Sequence, residues 1–378
     1  MTRQTQMLIA LLNLVTILFV FPCYSQSHLK EDLKSFNLNS SKNITIGIIK
    51  DGPGGMYEDF SEQVKKDLLE LAAIINFKEL PIPATPWDLE SIEILIQRAL
   101  KDKSIDAIFT SCGLSSVQAL KSHQNSSKPI VTMLLIKKDI FDELELKEPF
   151  NSKNTFRDSH STNNVSIVIS PESVKEELQA FQGITNFKKL HILIDINSLK
   201  AFKELPLVFQ NIAKDQDYTL EVLTYTDIES LKASINDDIE AVYSLLTLRT
   251  TKEERSKIYK ALSKKGIPTF SFLGSSDVKA GALATLSPNL LSRMSRRVAF
   301  NLYRSIMFNK KPSMSSMMLE EDLLINGSTL KEINLSPPLK ILQPARIINI
   351  QDLEKGNPLT LKKVVEMARN NNVEIANK

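Results

Sequence analysis

Residues that could do covalent chemistry are few and scattered. The four histidines, His28, His123, His160 and His191, stand at no metal-ligand spacing from one another or from the two cysteines, Cys23 and Cys112. Ser111 lies in Thr-Ser-Cys-Gly, which is not the Gly-x-Ser-x-Gly elbow of a hydrolase, and no triad partner is suggested by position. Lys50-Asp51-Gly52-Pro53-Gly54-Gly55 is a glycine-rich turn, but it lacks the Gly-Lys-Ser/Thr ending of a phosphate loop and the GxGxxG spacing of a dinucleotide site. No enzyme, metal site or cofactor is expected. What remains is binding chemistry. Thr110, Ser111, Gly113, Ser115 and Ser116 bring hydroxyls and backbone amides to a strand-to-helix turn. They suit helix capping, and they equally suit a ligand's carboxylate, because a helix N-terminus attracts anions.

Those turns need a frame, and the chain supplies one of alternating units. Strand Ile44–Ile49 leads through the glycine turn into a helix over Tyr57–Asn76, with Phe60, Val64, Leu68, Leu71 and Ile75 on one face. An extended piece (Phe77–Ile82), a helix (Trp87–Asp102), a strand (Ile105–Thr110), a helix (Leu114–His123) and a strand (Pro129–Ile136) follow. Strands that are apolar throughout, separated by helices, predict a parallel sheet covered on both faces. Ligands of such sheets bind beyond the carboxyl ends of the strands. Asp51–Gly55, Thr110–Ser116 and the residues after Met133 therefore share one edge, with the glycine turn at the mouth of a cleft. Lys137–Asn163 has no periodicity and is read as an irregular crossing into a second lobe that starts at Asn164. Its strands are expected at Val165–Ile169, Leu190–Ile194, Leu220–Thr224, Ala241–Leu245 and Thr269–Leu273, with helices near 171–183, 198–214, 227–235 and 251–264.

The composition fits two cored domains: 378 residues, 42% hydrophobic and 24% charged. Forty-seven basic against 44 acidic residues give no pull toward nucleic acid. Arg3, the apolar run Met7–Phe21, and Cys23 and Ser25 before Gln26 read as a secretory signal over 1–25. The run is shorter than the roughly 20 residues of a spanning helix. Val20-Phe21-Pro22 before Cys23 lacks the small residues of a lipid-attachment signal, so cleavage before Gln26 is expected and a lipid anchor is not. Cys112 then has no partner and reads as a buried thiol.

The most informative stretch is 267–306. A strand behind Gly266-Ile267-Pro268 is followed by a Gly274-Ser275-Ser276-Asp277 loop and an extended Gly281–Leu286. A helix from Pro288 then carries Leu290, Leu291, Met294, Val298, Leu302 and Ile306 inward and Arg293, Arg296, Arg297 and Arg304 outward. This order, ending in Lys310-Lys311-Pro312, resembles the second lobe of the ABC-transporter substrate-binding family that includes tryptophan-binding members, of the type I periplasmic-binding-protein fold. Ile44–Lys50, Asp106–Leu120, Pro129–Met133, Asn164–Leu178 and Leu190–Asp195 fall in the family's order, so the resemblance runs over about 43–325.

The resemblance implies an α/β fold of two Rossmann-like lobes with parallel sheets, joined by a multi-strand hinge crossing near Asn163, Ser287 and Lys310. Lobe I would span 43–163, completed by about 288–310; lobe II would span 164–287, completed by about 311–325; a tail would run over 326–378. It implies ligand contacts from Asp51, Gly52, Thr110, Ser111, Gly113 and Ser115 in one lobe and from Asn197, Ser198, Thr247, Gly274 and Ser275 in the other. The chain departs from the family at three polar places. Ile196-Asn197-Ser198 stands for a longer Asn-Pro-x-Glu-x-Asn-Ser turn, Thr247-Leu248-Arg249 for an Asp, and Met133-Leu134-Leu135 for Asp-Pro, which makes the pocket more apolar. In the tail, Leu359-Thr360-Leu361 with Ala368 and Asn370-Asn371 is similar to the opening helix of outer-membrane efflux proteins, and it also reads as a surface helix capped by Thr360. The expected protein is an extracytoplasmic, monomeric solute-binding protein that takes a small organic molecule for an ABC permease. The alternative is a non-transport envelope component or sensor beside an efflux or export system.

Overall fold

The computed structural model describes residues 43–71, 75–111, 113–123, 125–143, 164–170, 173–214, 216–245, 250–286, 288–307 and 322–349. The expected signal segment, Cys112, Thr247, the crossings at Asn163, Ser287 and Lys310, and the efflux-like helix lie outside the described residues.

The first lobe is a five-stranded parallel sheet in the order β2-β1-β3-β4-β5. Its strands are β1 (Ile44–Ile49), β2 (Ile75–Glu79), β3 (Ala107–Thr110), β4 (Ile130–Lys137) and β5 (Val165–Ser170). Helices α1 (Gly55–Leu71), α2 (Leu89–Lys101) and α3 (Gly113–Ser122) connect them. Asp88 caps α2 by accepting from the Ser91 amide at 2.8 Å, and Ile92, Leu95, Ile96 and Ala99 form its buried stripe. β5 was expected to open the second lobe, but it pairs with β4 from Ile130↔Val165 to Lys137↔Ser170. A uniformly apolar strand declares burial but not the sheet it joins. The register of this pair slips between Met133 and Lys137.

After β4 come α4 (Lys138–Glu143) and, beyond β5, α5 (Val174–Ile184). Asp139 Oδ2 accepts from the Ser173 hydroxyl at 2.9 Å and the Lys175 amide at 3.2 Å, so α4 caps α5. Phe181 of α5 packs against Phe187 and Phe270, rings of the second lobe. The passage into the second lobe therefore follows Ser170 and not Asn163.

The second lobe's seven-stranded sheet has the order β12-β11-β10-β9-β8-β6-β7. It comprises β6 (Lys189–Asp195), β7 (Thr219–Tyr225), β8 (Ala241–Ser244), β9 (Thr269–Ser271), β10 (Ala284–Thr285), β11 (Leu324–Asn326) and β12 (Arg346–Ile348). β7 through β10 are parallel; β11 is antiparallel to β10 and carries β12. The helix expected over 198–214 is two, α6 (Ile196–Ala201) and α7 (Leu205–Ala213), with Pro206 in the first turn of the latter. Then follow α8 (Ile228–Ser234), α9 (Lys252–Lys264) and α10 (Ser275–Ala280). The segment read as a loop at Gly274–Asp277 thus begins a helix, entered through Gly274 at φ 85°, a conformation that suits glycine.

α11 (Leu290–Met307) returns to the first lobe. Ser295 Oγ donates to Asp67 Oδ2 of α1 at 2.8 Å, and Asn301 Nδ2 donates to Ser166 Oγ of β5 at 3.1 Å. Arg297 and Arg304, expected to point outward, lie over the buried Phe300 ring at 5.8 and 5.9 Å. The tail expected from 326 is also corrected. β12 pairs Leu324↔Arg346, Ile325↔Ile347 and Asn326↔Ile348, and between β11 and β12 run α12 (Gly327–Glu332) and α13 (Leu339–Leu342). Asn326 joins them by accepting the Ser328 and Thr329 amides and donating to the Val278 carbonyl at 2.8 Å. Prolines there shape connections and do not end the domain.

Candidate functional site

At the carboxyl edge of the first sheet, Asp51 is the organising residue. Its Oδ2 accepts the Leu114 amide at 2.8 Å and its Oδ1 the Ser115 amide at 3.0 Å, both in the first turn of α3. The side chain is fully buried, and burial pushes its pKa up to about 6 against the opposing pull of hydrogen bonds from Ser115 and Leu114. The anion at this helix N-terminus is therefore the protein's own. Neighbouring hydroxyls also have internal partners. Thr110 Oγ1 and Ser116 Oγ are 3.1 Å apart, Ser116 donates to the Met133 carbonyl at 2.7 Å, and Ser111 donates to the Ile49 carbonyl at 3.3 Å. Gly113 is the first residue of α3 and half-buried.

Trp87, expected as the first turn of a helix, instead precedes the α2 cap with φ 64°. Its amide donates to the Asp51 carbonyl at 2.8 Å. Its indole lies against Gly52, where a Cβ would stand 2.5 Å from the ring, and 5.3 Å from the Tyr57 ring. Gly52 is needed there because any side chain would displace the indole. Lone aromatics leave no periodic signal, so the sequence could not assign Trp87 to the sheet edge.

In the second lobe the expected residues sit at two strand ends. Ser198 follows β6 in α6, where its amide donates to Asp195 Oδ1 at 3.1 Å and its hydroxyl to Asp195 Oδ2. Asn197 is in the same short helix. Gly274 is buried and Ser275 half-buried after β9, with the Ser275 amide donating to the Pro288 carbonyl at 3.1 Å. β8 separates the two strand ends.

A polar network unforeseen in the sequence lies beneath this edge. Asp277 Oδ2 accepts the Tyr259 hydroxyl at 2.5 Å and the Ser271 hydroxyl at 2.7 Å, and Tyr259 also donates to Ser244 Oγ at 3.0 Å. Arg255 Nε lies 2.9 Å from Asp277 Oδ1 but off the donor axis, an ion pair without an aligned hydrogen bond; its Nη1 donates to the Thr250 carbonyl at 2.8 Å. Burial raises the Asp277 pKa despite Arg255, and burial with the Asp277 charge holds the Tyr259 phenol well above its usual value. These residues fix the turn that carries Gly274.

The two edges meet at Lys137, the last residue of β4. Its Nζ is 5.1 Å from the centroid of Phe272, just beyond β9, and 3.0 Å from Glu177 Oε1, while Tyr243 of β8 donates to Glu177 Oε2 at 2.5 Å. His123 pairs with Glu93 at 2.8 Å and His191 with Glu221 at 3.4 Å. Among the described residues no group of three or more His, Cys, Asp or Glu could hold a metal ion, and no helix is long and apolar enough to cross a membrane.

No protein-family model matches the sequence, and no curated protein matches it significantly. Solved structures do. A conserved domain protein from Vibrio cholerae O1 biovar El Tor shares 14% identity with a TM-score of 0.62, over 81% of this chain and 99% of that one. An ABC domain in complex with L-Trp from Streptococcus pneumoniae shares 12% identity with a TM-score of 0.60, over 81% and 99%. A ligand-free, open substrate-binding protein with adhesive properties from Clostridium difficile shares 15% with a TM-score of 0.50, over 81% and 99%. The fold is that of the two-lobed type I periplasmic binding proteins, and at this level the resemblance seen in the sequence holds.

Proposed function

We propose that the chain is an extracytoplasmic solute-binding protein that takes a small organic molecule between its lobes and passes it to an ABC-type permease. The observation that carries this reading is the meeting of strand ends at Lys137, where the carboxyl end of β4 contacts Phe272 beyond β9. Ligands of parallel sheets bind at such ends. The Asp51, Thr110 and Ser115 turns and the Ser198 and Gly274 turns are then candidate walls of one cleft, and the L-Trp complex of a neighbour with this fold adds support. A ligand touching both lobes favours the closed form by its differential affinity, with bending at the crossings. The reading includes an exported, monomeric chain with a signal over 1–25, and binding in place of catalysis.

The test is a thermal-shift screen of amino acids, nucleosides and small aromatic compounds. A true ligand stabilises by about 2.7 kcal/mol at a hundredfold excess over its Kd. Gly113→Trp, at the start of α3, is expected to remove that gain and leave unfolding otherwise cooperative.

A second reading is an envelope component or sensor of an efflux or export system that has kept the lobes without tight binding. It draws on the internal engagement of Asp51, Thr110, Ser116 and Ser198. A broad screen without a ligand, or a Gly113→Trp protein that binds like the parent, decides for it; an outer-membrane efflux protein would then be the partner to test.

A further inference from the structure

We infer that the second lobe docks on an anionic lipid surface through the face built by α8 and α9, leaving free the edge that carries Ser198 and Gly274. The inference goes beyond the cleft reading and holds whatever the cleft takes.

A groove of about 430 Å³ runs between these two helices. Lys232 lines it from α8, and Lys257, Lys260, Lys264 and Lys265 line it from α9 and its end; Ile235 and Ala261 supply its apolar lining. Lys257, Lys260 and Lys264 stand at i, i+3 and i+7, so they share the outer face of α9, while Ile258, Tyr259 and Leu262 bury the inner one. Lysines elsewhere hold carboxylates, Lys50 with Glu79 at 3.0 Å, Lys78 with Asp102 at 2.7 Å and Lys189 with Glu221 at 2.9 Å. In the groove Lys232 has Glu229 at 2.7 Å, and Lys265 reaches Asp237 only at 3.7 Å. Lys257, Lys260 and Lys264 have no carboxylate partner among the described residues. Like charges at helical spacings of three and four repel, so the stripe strains the free protein and an opposing anionic surface relieves it. Five lysines against two carboxylates leave an excess of three, equal to the formal net charge of the whole chain, +3. The charges outside this face therefore sum to zero.

The kind of cation selects the partner. All five are lysines, whereas protein interfaces favour arginine, whose fork pairs carboxylates bidentately, and are depleted in lysine. A hydrated point charge on a flexible stem instead suits a layer of lipid phosphates, where each lysine gains by proximity alone. The groove is also well placed for such docking. α8 leads into β8 and α9 into β9, and these strands are parallel, so the ends of both helices lie toward the amino edge of the sheet. Docking there leaves the opposite, carboxyl edge open to solvent.

Sedimentation of the full chain with vesicles tests this, using phosphatidylcholine alone and phosphatidylcholine with about one third phosphatidylglycerol. The parent is expected to bind the anionic vesicles about tenfold or more tightly than the neutral ones, and to lose that preference at ~0.5 M salt, where surface charges are screened. Any binding by the apolar run Met7–Phe21 shows with the neutral vesicles and is subtracted. Lys257→Gln/Lys260→Gln/Lys264→Gln is expected to weaken anionic binding about twentyfold or more. Arginine at the same three positions should stay within about threefold of the parent, because the charge is kept, and guards against a misfolded glutamine variant. Lys101→Gln/Lys103→Gln/Lys121→Gln removes the same charge from exposed sites of the first lobe and should also stay within about threefold. Equal affinity for neutral and anionic vesicles, or equal losses in the two glutamine variants, overturns the inference. Tighter binding of inorganic phosphate or of a polyglutamate peptide than of the vesicles overturns it too, the first in favour of a small-anion site and the second of an acidic protein. None of these outcomes bears on the cleft reading, which the thermal-shift screen decides.

Discussion

Lys137 Nζ lies 3.0 Å from Glu177 Oε1 with both side chains fully buried, joining the last residue of a first-lobe strand to a helix packed on the second-lobe sheet. A buried pair of this kind contributes little net stability over apolar replacements, yet breaking it leaves one charge stranded. Lys137→Met is therefore expected to cost about 3–5 kcal/mol in urea unfolding, and the double variant Lys137→Met/Glu177→Leu to recover most of it. A double-variant loss equal to the sum of the losses of Lys137→Met and Glu177→Leu made singly would mean that the pair is not coupled.

Asp51 gives a pH dependence of fixed sign. Its folded pKa, about 6, is above the ordinary carboxylate value of 3.8, so the folded state binds the proton more tightly than the unfolded one. Its contribution to stability is greatest below the unfolded pKa and is lost as pH rises through the folded pKa. Each tenfold difference in proton affinity between the two states is worth about 1.4 kcal/mol, so relative to Asp51→Asn the parent should gain roughly 2 to 3 kcal/mol between pH 7 and pH 4. Denaturant midpoints of both proteins at several pH values in that window check it; a parent that loses ground on acidification contradicts it.

Arg255 stands against Asp277 in a fully enclosed site. Replacing it with Leu should cost about 3–5 kcal/mol by stranding the carboxylate. Adding Asp277→Asn should restore part of that loss, because the remaining group is neutral and keeps an oxygen for Tyr259 and Ser271. Chemical denaturation of the parent, the single variant and the double variant measures both effects.

Trp87 is the single tryptophan of the chain, so its fluorescence reports this sheet edge alone. Gly52→Ala places a Cβ 2.5 Å from the indole and must displace the ring. The expected outcome is a shifted emission maximum and increased quenching by acrylamide, with a stability loss of about 1–3 kcal/mol from overpacking. An emission spectrum identical to the parent's would show that the ring does not rest on residue 52.

Much of the frame was legible in the sequence, and the reasons differ by element. Strands such as Ile44–Ile49 and Leu190–Ile194 announce themselves by continuous apolar runs, and the helix from Leu290 by its period. Sheet membership was not legible, since β5 differs from a second-lobe strand only in its partner, and the Pro-rich connection hid the pairing of Arg346–Ile348 with β11. At the site, the strand-to-helix turn at Thr110–Ser116 was readable from small polar residues. Its occupancy by Asp51, more than 60 residues earlier, was not, because such a contact depends on the β1 and β3 ends lying side by side. The Arg255–Asp277–Tyr259 network was hidden for the same reason, being assembled from two helices and two strand ends.

The most direct measurement of the central claim is amide hydrogen exchange with and without the compound that most raises the unfolding temperature. A molecule held between the lobes should slow exchange together around Asp51, Thr110 and Ser115 in one lobe and around Ser198 and Gly274 in the other. Slowing confined to one lobe, or falling on surfaces away from both sets of strand ends, would contradict it.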